Sequence, residues 1–391
     1  MKSMKKVVSV VLTAAMVMAF AAGCGANGTD KETNGSSDTI KIGGIGPLTG
    51  AAAIYGQDVK GGAEIAVKEI NEAGGINGYQ IELNFQDDEH DAEKSVNAYN
   101  NLKDWGMQAL FGTVTSTPCI AVGEVAHTDN MFLLTPSGTA VDCVKYDNAF
   151  RVCFSDPTQG VESAKYIGEN GLAKKVAVIY DSSDVYSSGI YEAFAGEAKN
   201  QNIEIVAAEA FTGESNTDFS VQLQKAKDGG AELVFLPFYY SQAALVLQQA
   251  AGMEFSPIFF GCDGMDGILG VDGFDANLAN NLMFLSPFTP TSTDPLVQKF
   301  VEKFEEAYGH TPNQFAADAY DGVYALKAAM EKADVKPDMK PSDVCDALKK
   351  AMVEIEMEGV TAKKLTWSAD GEPSKEAMIV KIANGDYAVA E

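Results

Sequence analysis

From residue 40 onward the sequence alternates short apolar runs with amphipathic stretches, and this alternation limits the possible folds more than any other feature. Residues 39–45 read as a strand. A helix over 56–73 follows, with Val59, Ala63, Val67 and Ile70 on one face and Gly74-Gly75 as its stop. Strands are expected over 81–85, 107–111 and 131–134, separated by helices over 91–105 and 118–128. A second round follows the apolar run 150–154. It has helices over 160–169, 189–200, 218–227 and 242–251, and strands over 175–180, 203–207, 233–238, 257–260 and 282–285. A parallel strand pair needs a long return path, which a helix supplies, so the pattern implies two α/β lobes with parallel sheets. Three more helices are expected over 296–308, 314–332 and 342–352. The tail, with Asp370-Gly371 and Asn384-Gly385 between apolar runs, reads as antiparallel strands joined by tight turns.

Charge narrows the partners. The chain has 55 acidic against 29 basic residues, a formal net charge of −26. No basic block follows residue 6, so nucleic-acid binding is not expected. With 46% hydrophobic and 21% charged residues over 391 positions, the chain can build a large core, and two domains are the better expectation.

The first residues read as an address. Lys2, Lys5 and Lys6 precede an apolar run over 7–22, too short to span a bilayer, so residues 1–23 are expected to be a signal peptide. Phe20-Ala21-Ala22-Gly23-Cys24 resembles the bacterial lipobox, which implies acylation of Cys24 and anchoring to the outer face of the membrane. A plain signal-peptidase site before a cysteine is the alternative. Residues 24–39, polar and rich in Gly, Asn, Ser and Thr, suit a flexible tether. Beyond Cys24 the cysteines are Cys119, Cys143, Cys153, Cys262 and Cys345, an odd number. A bridge between Cys143 and Cys153 and a set of buried thiols both remain open. No Cys-x-x-Cys pair or clustered histidine points to a metal, and no cofactor is expected.

Two segments carry the binding chemistry. Phe111 to Pro118 places the hydroxyls of Thr115, Ser116 and Thr117 between a strand end and a helix start, where free amides and the helix dipole favour an anion. Simple N-capping explains the same hydroxyls equally well. Leu134 to Thr139 repeats the pattern with Ser137, Gly138 and Thr139 at the end of the next strand. Both lie at carboxyl ends of parallel strands, the edge where open α/β sheets bind ligands. A zwitterion also needs an anionic partner for its ammonium, and Asp156, Asp263, Tyr186 and Tyr239 fall at strand ends or loops of the second round. The glycine-rich turn 43–50 lacks dinucleotide spacing, because Thr49 stands where a third glycine is required. No Gly-x-Ser-x-Gly, His-Glu-x-x-His or phosphate loop is present, so an enzyme is not expected.

Ile45-Gly46-Pro47-Leu48-Thr49-Gly50, Tyr55-Gly56, the run 61–71 and Gly74-Gly75-Ile76-Asn77-Gly78 together resemble the branched-chain amino-acid binding proteins of ABC importers. The resemblance continues through the Ser116 and Ser137 segments, Tyr186 to Gly189, Tyr239-Tyr240 and Gly261 to Gly264. It implies a type I periplasmic-binding-protein fold, α/β, with two Rossmann-like lobes and three hinge crossings. These crossings are expected near Asp156, Ser286 and Trp367, giving one lobe of 40–156 plus 286–366 and another of 157–285 plus 367–391. The matching positions imply that Ser116, Ser137, Gly138 and Thr139 hold a ligand carboxylate. They imply that Asp156, Tyr239 and Asp263 hold its ammonium, and that Tyr55 and Tyr186 form pocket and lid. Partners so implied are a free amino acid, Leu, Ile or Val, and membrane permease subunits, with the chain itself a monomer. Asp263 departs from the family, whose familiar members carry Glu there, and their early disulfide has no Cys pair here. Cys119, beside the helix start, is expected to line the pocket. A sensor domain presenting the same closed form, and an extracellular enzyme using the cleft, are the competing classes.

Overall fold

The computed structural model describes residues 39–280 and 282–390. The expected signal peptide, Cys24 and nearly all of the tether therefore lie outside the described residues; Thr39 already belongs to the first strand.

The first half runs β1 (Thr39–Gly46), α1 (Ala53–Glu72), β2 (Gln80–Asp87), α2 (Ala92–Trp105), β3 (Ala109–Gly112), α3 (Ser116–Thr128), β4 (Leu133–Thr135) and β5 (Ala149–Arg151). These strands form one sheet in the order β2-β1-β3-β4-β5, parallel throughout. The second half runs α4 (Asp156–Glu169), β6 (Lys175–Asp181), α5 (Val185–Ala198), β7 (Glu204–Phe211), α6 (Ser220–Asp228), β8 (Leu233–Leu236), α7 (Tyr240–Gly252), β9 (Ile258–Gly261) and β10 (Met283–Ser286). The remainder is α8 (Pro295–Tyr308), α9 (Gln314–Lys332), α10 (Pro341–Met352), β11 (Glu356–Met357), β12 (Leu365–Thr366), β13 (Met378–Ala383) and β14 (Asp386–Val389). The second sheet has the order β14-β13-β10-β9-β8-β6-β7, with β13 and β14 antiparallel at one edge and joined through Asn384-Gly385.

Interior strands of both sheets are buried on both faces, as helix-covered parallel sheets require: β3, β4, β8 and β10 have no exposed residue. The helices α8, α9 and α10 return to the first half. Gly62 of α1 allows the closest of these contacts, because a Cβ there would lie 2.0 Å from the Ala316 carbonyl of α9. Only a glycine lets the two helix backbones approach so far.

Several helices begin earlier than periodicity indicates, and the reason is capping. Ser155 caps α4, so Asp156 and Pro157 form its first turn, where the sequence suggested a start at Gly160. Asp184 caps α5 through the Tyr186 amide, so the helix starts at Val185, four residues before the expected start. The polar first turn of α4 carries no apolar stripe and is invisible to periodicity. The third change of sheet also falls later than Trp367. Residues 367–374 stay with the first half: the Arg151 amide donates to the Gly371 carbonyl at 3.0 Å, and Ser374 N donates to Thr366 O at 2.8 Å. The chain joins the second sheet only at Met378. Local patterning marks a strand there but not which sheet it will join.

Candidate functional site

At the carboxyl ends of β3 and β4, the loops carrying the hydroxyl segments face the loop after β9. A narrow pocket lies between them. From the first half it is lined by Val114, Thr115, Ser116, Ser137 and Thr139; from the second by Tyr186, Tyr239, Asp263 and Gly264; Tyr55 of α1 and Phe315 of α9 complete it.

The hydroxyl wall is built by internal hydrogen bonds. Thr135 Oγ1 accepts the Gly138 amide at 2.7 Å and donates to Thr113 O at 2.6 Å, while Ser137 Oγ donates to Val114 O at 2.7 Å. Ser116 Oγ accepts the Ala140 amide at 3.2 Å, so it ties the two loops together and does not cap α3. No side chain caps α3, and Thr115 Oγ1 instead shares a 2.8 Å hydrogen bond with His90 Nδ1. The N-terminus of α3 therefore keeps its anion-attracting character at the pocket wall.

The opposite wall is acidic and aromatic. Tyr186 donates to Asp263 Oδ1 at 2.6 Å, and its hydroxyl accepts the Gly264 amide at 3.0 Å. Gln159 Oε1 accepts the Asp263 amide at 3.0 Å. Burial pushes the Asp263 carboxyl up to about 6, against the pull of the Tyr186 and Gln159 hydrogen bonds. Tyr186 and Tyr239 stack with centroids 4.9 Å apart, and Phe315 packs on Tyr55 at 4.3 Å. Tyr55 also bridges the halves, donating to Gly264 O at 2.6 Å and accepting the Tyr240 amide at 3.2 Å.

Of the residues singled out from sequence, Ser116, Ser137, Thr139, Tyr55, Tyr186, Tyr239 and Asp263 converge on this pocket. Three do not line it. Thr117 is exposed and faces a neighbouring groove with His90 and Asp184. Gly138 contributes backbone, bonded to Thr135 and Arg151. Asp156, at the start of α4, is buried with neither carboxylate oxygen paired among the described residues; burial drives its carboxyl well above the usual range, with nearby Asp263 adding to this and Arg151 opposing it. Cys119 does not line the pocket either. It is fully buried behind Gly138, whose missing Cβ leaves room for the sulfurs of Cys119 and Cys143, each 3.1 Å from that point. Cys143 and Cys153 are free and buried, so no bridge joins them. Asp87 accepts the Leu48 amide and the Thr49 hydroxyl, and Asp88 accepts the His90 amide and Ser95 hydroxyl.

Sequence reasoning missed Phe315 and Arg151. Phe315 follows the Asn313 cap of α9, a signal for a helix start but not for a pocket. Arg151, the last residue of β5, is fully buried beneath the hydroxyl wall and donates to the carbonyls of Gly138 and Thr139.

A sequence model of the family described as periplasmic binding protein matches residues 39–386. The chain belongs to that family. Membership indicates an extracytoplasmic location, and among the described residues no helix is long and apolar enough to cross a membrane. Within the family, the Leu/Ile/Val-binding protein BraC3 of Rhizobium johnstonii is 31% identical over 318 residues, 79% of this chain and 83% of the relative. The branched-chain amino acid transporter substrate binding protein LivJ from Streptococcus pneumoniae, solved in complex with isoleucine, is similar with a TM-score of 0.82 and 32% identity, covering 90% of this chain and 99% of that one. A leucine binding protein, LivK, from Thermotoga maritima gives a TM-score of 0.80 at 25% identity, with 90% and 98% covered. The parallel sheets and the two-half arrangement are those of type I periplasmic binding proteins.

Proposed function

We propose that this chain is the substrate-binding component of an ABC importer, capturing a branched-chain α-amino acid between its halves and delivering it to permease subunits in the membrane. One observation carries the reading: a single pocket has an anion-attracting hydroxyl wall from the first half and a carboxylate, Asp263, from the second. An α-amino acid presents a carboxylate and an ammonium at one end, and charge-assisted hydrogen bonds to both are strong. Ser116, Ser137 and Thr139 take the carboxylate; Asp263 and Tyr239, with Asp156 behind them, take the ammonium. Tyr55, Tyr186 and Phe315 supply the apolar surface for the side chain. The names of the relatives, which refer to Leu, Ile and Val, support the aliphatic choice.

The lobes follow the sheets: 40–156 with 286 to about 374, and 157–285 with about 375–391. A ligand bonded to both walls lowers the free energy of the closed arrangement alone, and this differential affinity drives closure. The ligand is held without reaction and released unchanged. Calorimetry with free Leu, Ile and Val is expected to show one-site binding to at least one of them, with the ligand recovered intact. No heat from any of the three would reject the reading.

Residues 1–23 act as a signal and Cys24 carries a lipid. A fatty-acid probe is expected to label the whole chain and to lose all labelling in Cys24→Ala; equal labelling of both would exclude the anchor.

A further inference from the structure

Arg151 ties the hydroxyl wall to a distant part of the chain. Its side chain is fully buried, and Nη1 donates to the carbonyls of Gly138 at 3.1 Å and Thr139 at 2.5 Å, with Nη2 reaching Val141 O at 3.5 Å. One short segment holds the arginine from the other side. Trp367 Nε1 donates to Arg151 O at 2.7 Å, Arg151 N donates to Gly371 O at 3.0 Å, and the half-exposed Glu372 carboxylate pairs with Nη2 at 3.1 Å.

The consequence follows from peptide geometry. A trans peptide is planar, and its N–H points opposite to its C=O. Because the Gly138 and Thr139 carbonyls face the guanidinium, the amides of Thr139 and Ala140 face away from it. The Ala140 amide is found on the Ser116 hydroxyl, itself part of the pocket wall. A planar fork is needed to serve several carbonyls at once, which a lysine ammonium on a flexible stem does not reproduce.

We propose that Arg151 is the positioning residue that makes the 137–141 loop selective for a carboxylate, by orienting its amides and by placing a buried positive charge behind them. Arg151 does not touch the ligand; it acts through the loop. The proposal rests on the assignment of this wall to the ligand carboxylate.

Leucine and leucinamide share side chain and ammonium and differ at the carboxylate, so the ratio of their affinities reads this wall alone. Calorimetry on the full chain is expected to give the wild-type protein a tenfold to hundredfold preference for leucine, about the value of charge-assisted hydrogen bonds. In Arg151→Met the preference is expected to fall by about tenfold or more, while leucinamide affinity changes by less than about threefold. Arg151→Lys is expected to lower the preference by about threefold or more. Glu372→Gln, which leaves the fork on its carbonyls, is expected to keep the preference within about twofold of wild type. Near-UV circular dichroism checks the fold of each variant, and if Arg151→Met is unfolded the other two carry the test. Equal losses for both ligands, a preference unchanged in Arg151→Lys, or its collapse in Glu372→Gln would each overturn the proposal. A wild-type protein that binds both ligands equally would instead overturn the carboxylate assignment.

Discussion

Replacing Asp263 with asparagine is expected to weaken amino-acid binding by about 30-fold to 3,000-fold, the range for truncating one partner of a buried, hydrogen-bonded charge pair. The same variant is expected to be more stable than wild type when no ligand is bound. Burial holds the Asp263 carboxyl at about 6 against a usual value of 3.8. A buried acid raised in this way opposes folding once it must ionise: the penalty is absent below the unfolded value, grows as pH rises through the interval, and is complete above about 6. At pH 7 the shift corresponds to about 3 kcal/mol, which the neutral amide removes. Binding depends on pH in the opposite sense. Only the ionised carboxylate attracts an ammonium, so affinity is expected to fall about tenfold for each pH unit below about 6. Calorimetry across pH 4.5–8 and urea unfolding at pH 7 check both halves. Unchanged affinity in Asp263→Asn would remove this residue from the ammonium site, and reduced stability would show that its hydrogen bonds outweigh its burial.

The largest stability effect is expected at Lys375. Its ammonium pairs with Asp318 of α9, and both side chains are almost wholly buried. Asp321, one turn further along the same helix, lies within the influence of the same charge and accepts the amides of Val360 and Thr361. Burial raises the Asp318 carboxyl to about 6 even with Lys375 beside it. Desolvation therefore outweighs attraction, and the pair is a poor source of stability as a unit. Removing one member is a different matter. Lys375→Met leaves two buried carboxylates without their cation and is expected to cost about 3–5 kcal/mol in urea unfolding. Adding Asp318→Leu is expected to restore most of that loss, because the uncompensated charge goes with it. If Lys375→Met alone costs less than about 1 kcal/mol, the pair is not desolvated as the structure indicates. Lys375 stands between Ser374 and Met378, where the chain passes between sheets, so the pair fastens the last crossing to α9.

Much of the site was legible because its chemistry is local in sequence. Ser116 and Ser137 each follow a short apolar strand, and parallel strands must bring their carboxyl ends to one edge; the pocket is where that rule places it. Asp263 and Tyr186 were legible for the same reason on the second sheet, although their mutual hydrogen bond was not. Other features had no local signature. Arg151 reads as an ordinary charged residue at a strand end, and its importance comes from Trp367 and Glu372, more than two hundred residues away. Cys119 looked like a wall of the pocket from its place beside the α3 start. The helix turns its sulfur to the rear of Gly138, because one turn of helix separates wall from core.

Taken alone, the order of apolar and polar residues determined two parallel α/β halves, the sheet edges between which the pocket lies, and the residue types that meet there. Such patterns record only whether a side chain faces core or solvent, and neighbours a few positions apart suffice for that. The tertiary structure decided which half the 367–374 segment joins, which hydroxyls serve the walls and which the pocket, and how a buried arginine turns one loop. Those outcomes depend on contacts between segments far apart in the chain, whose geometry exists only once both sheets have formed.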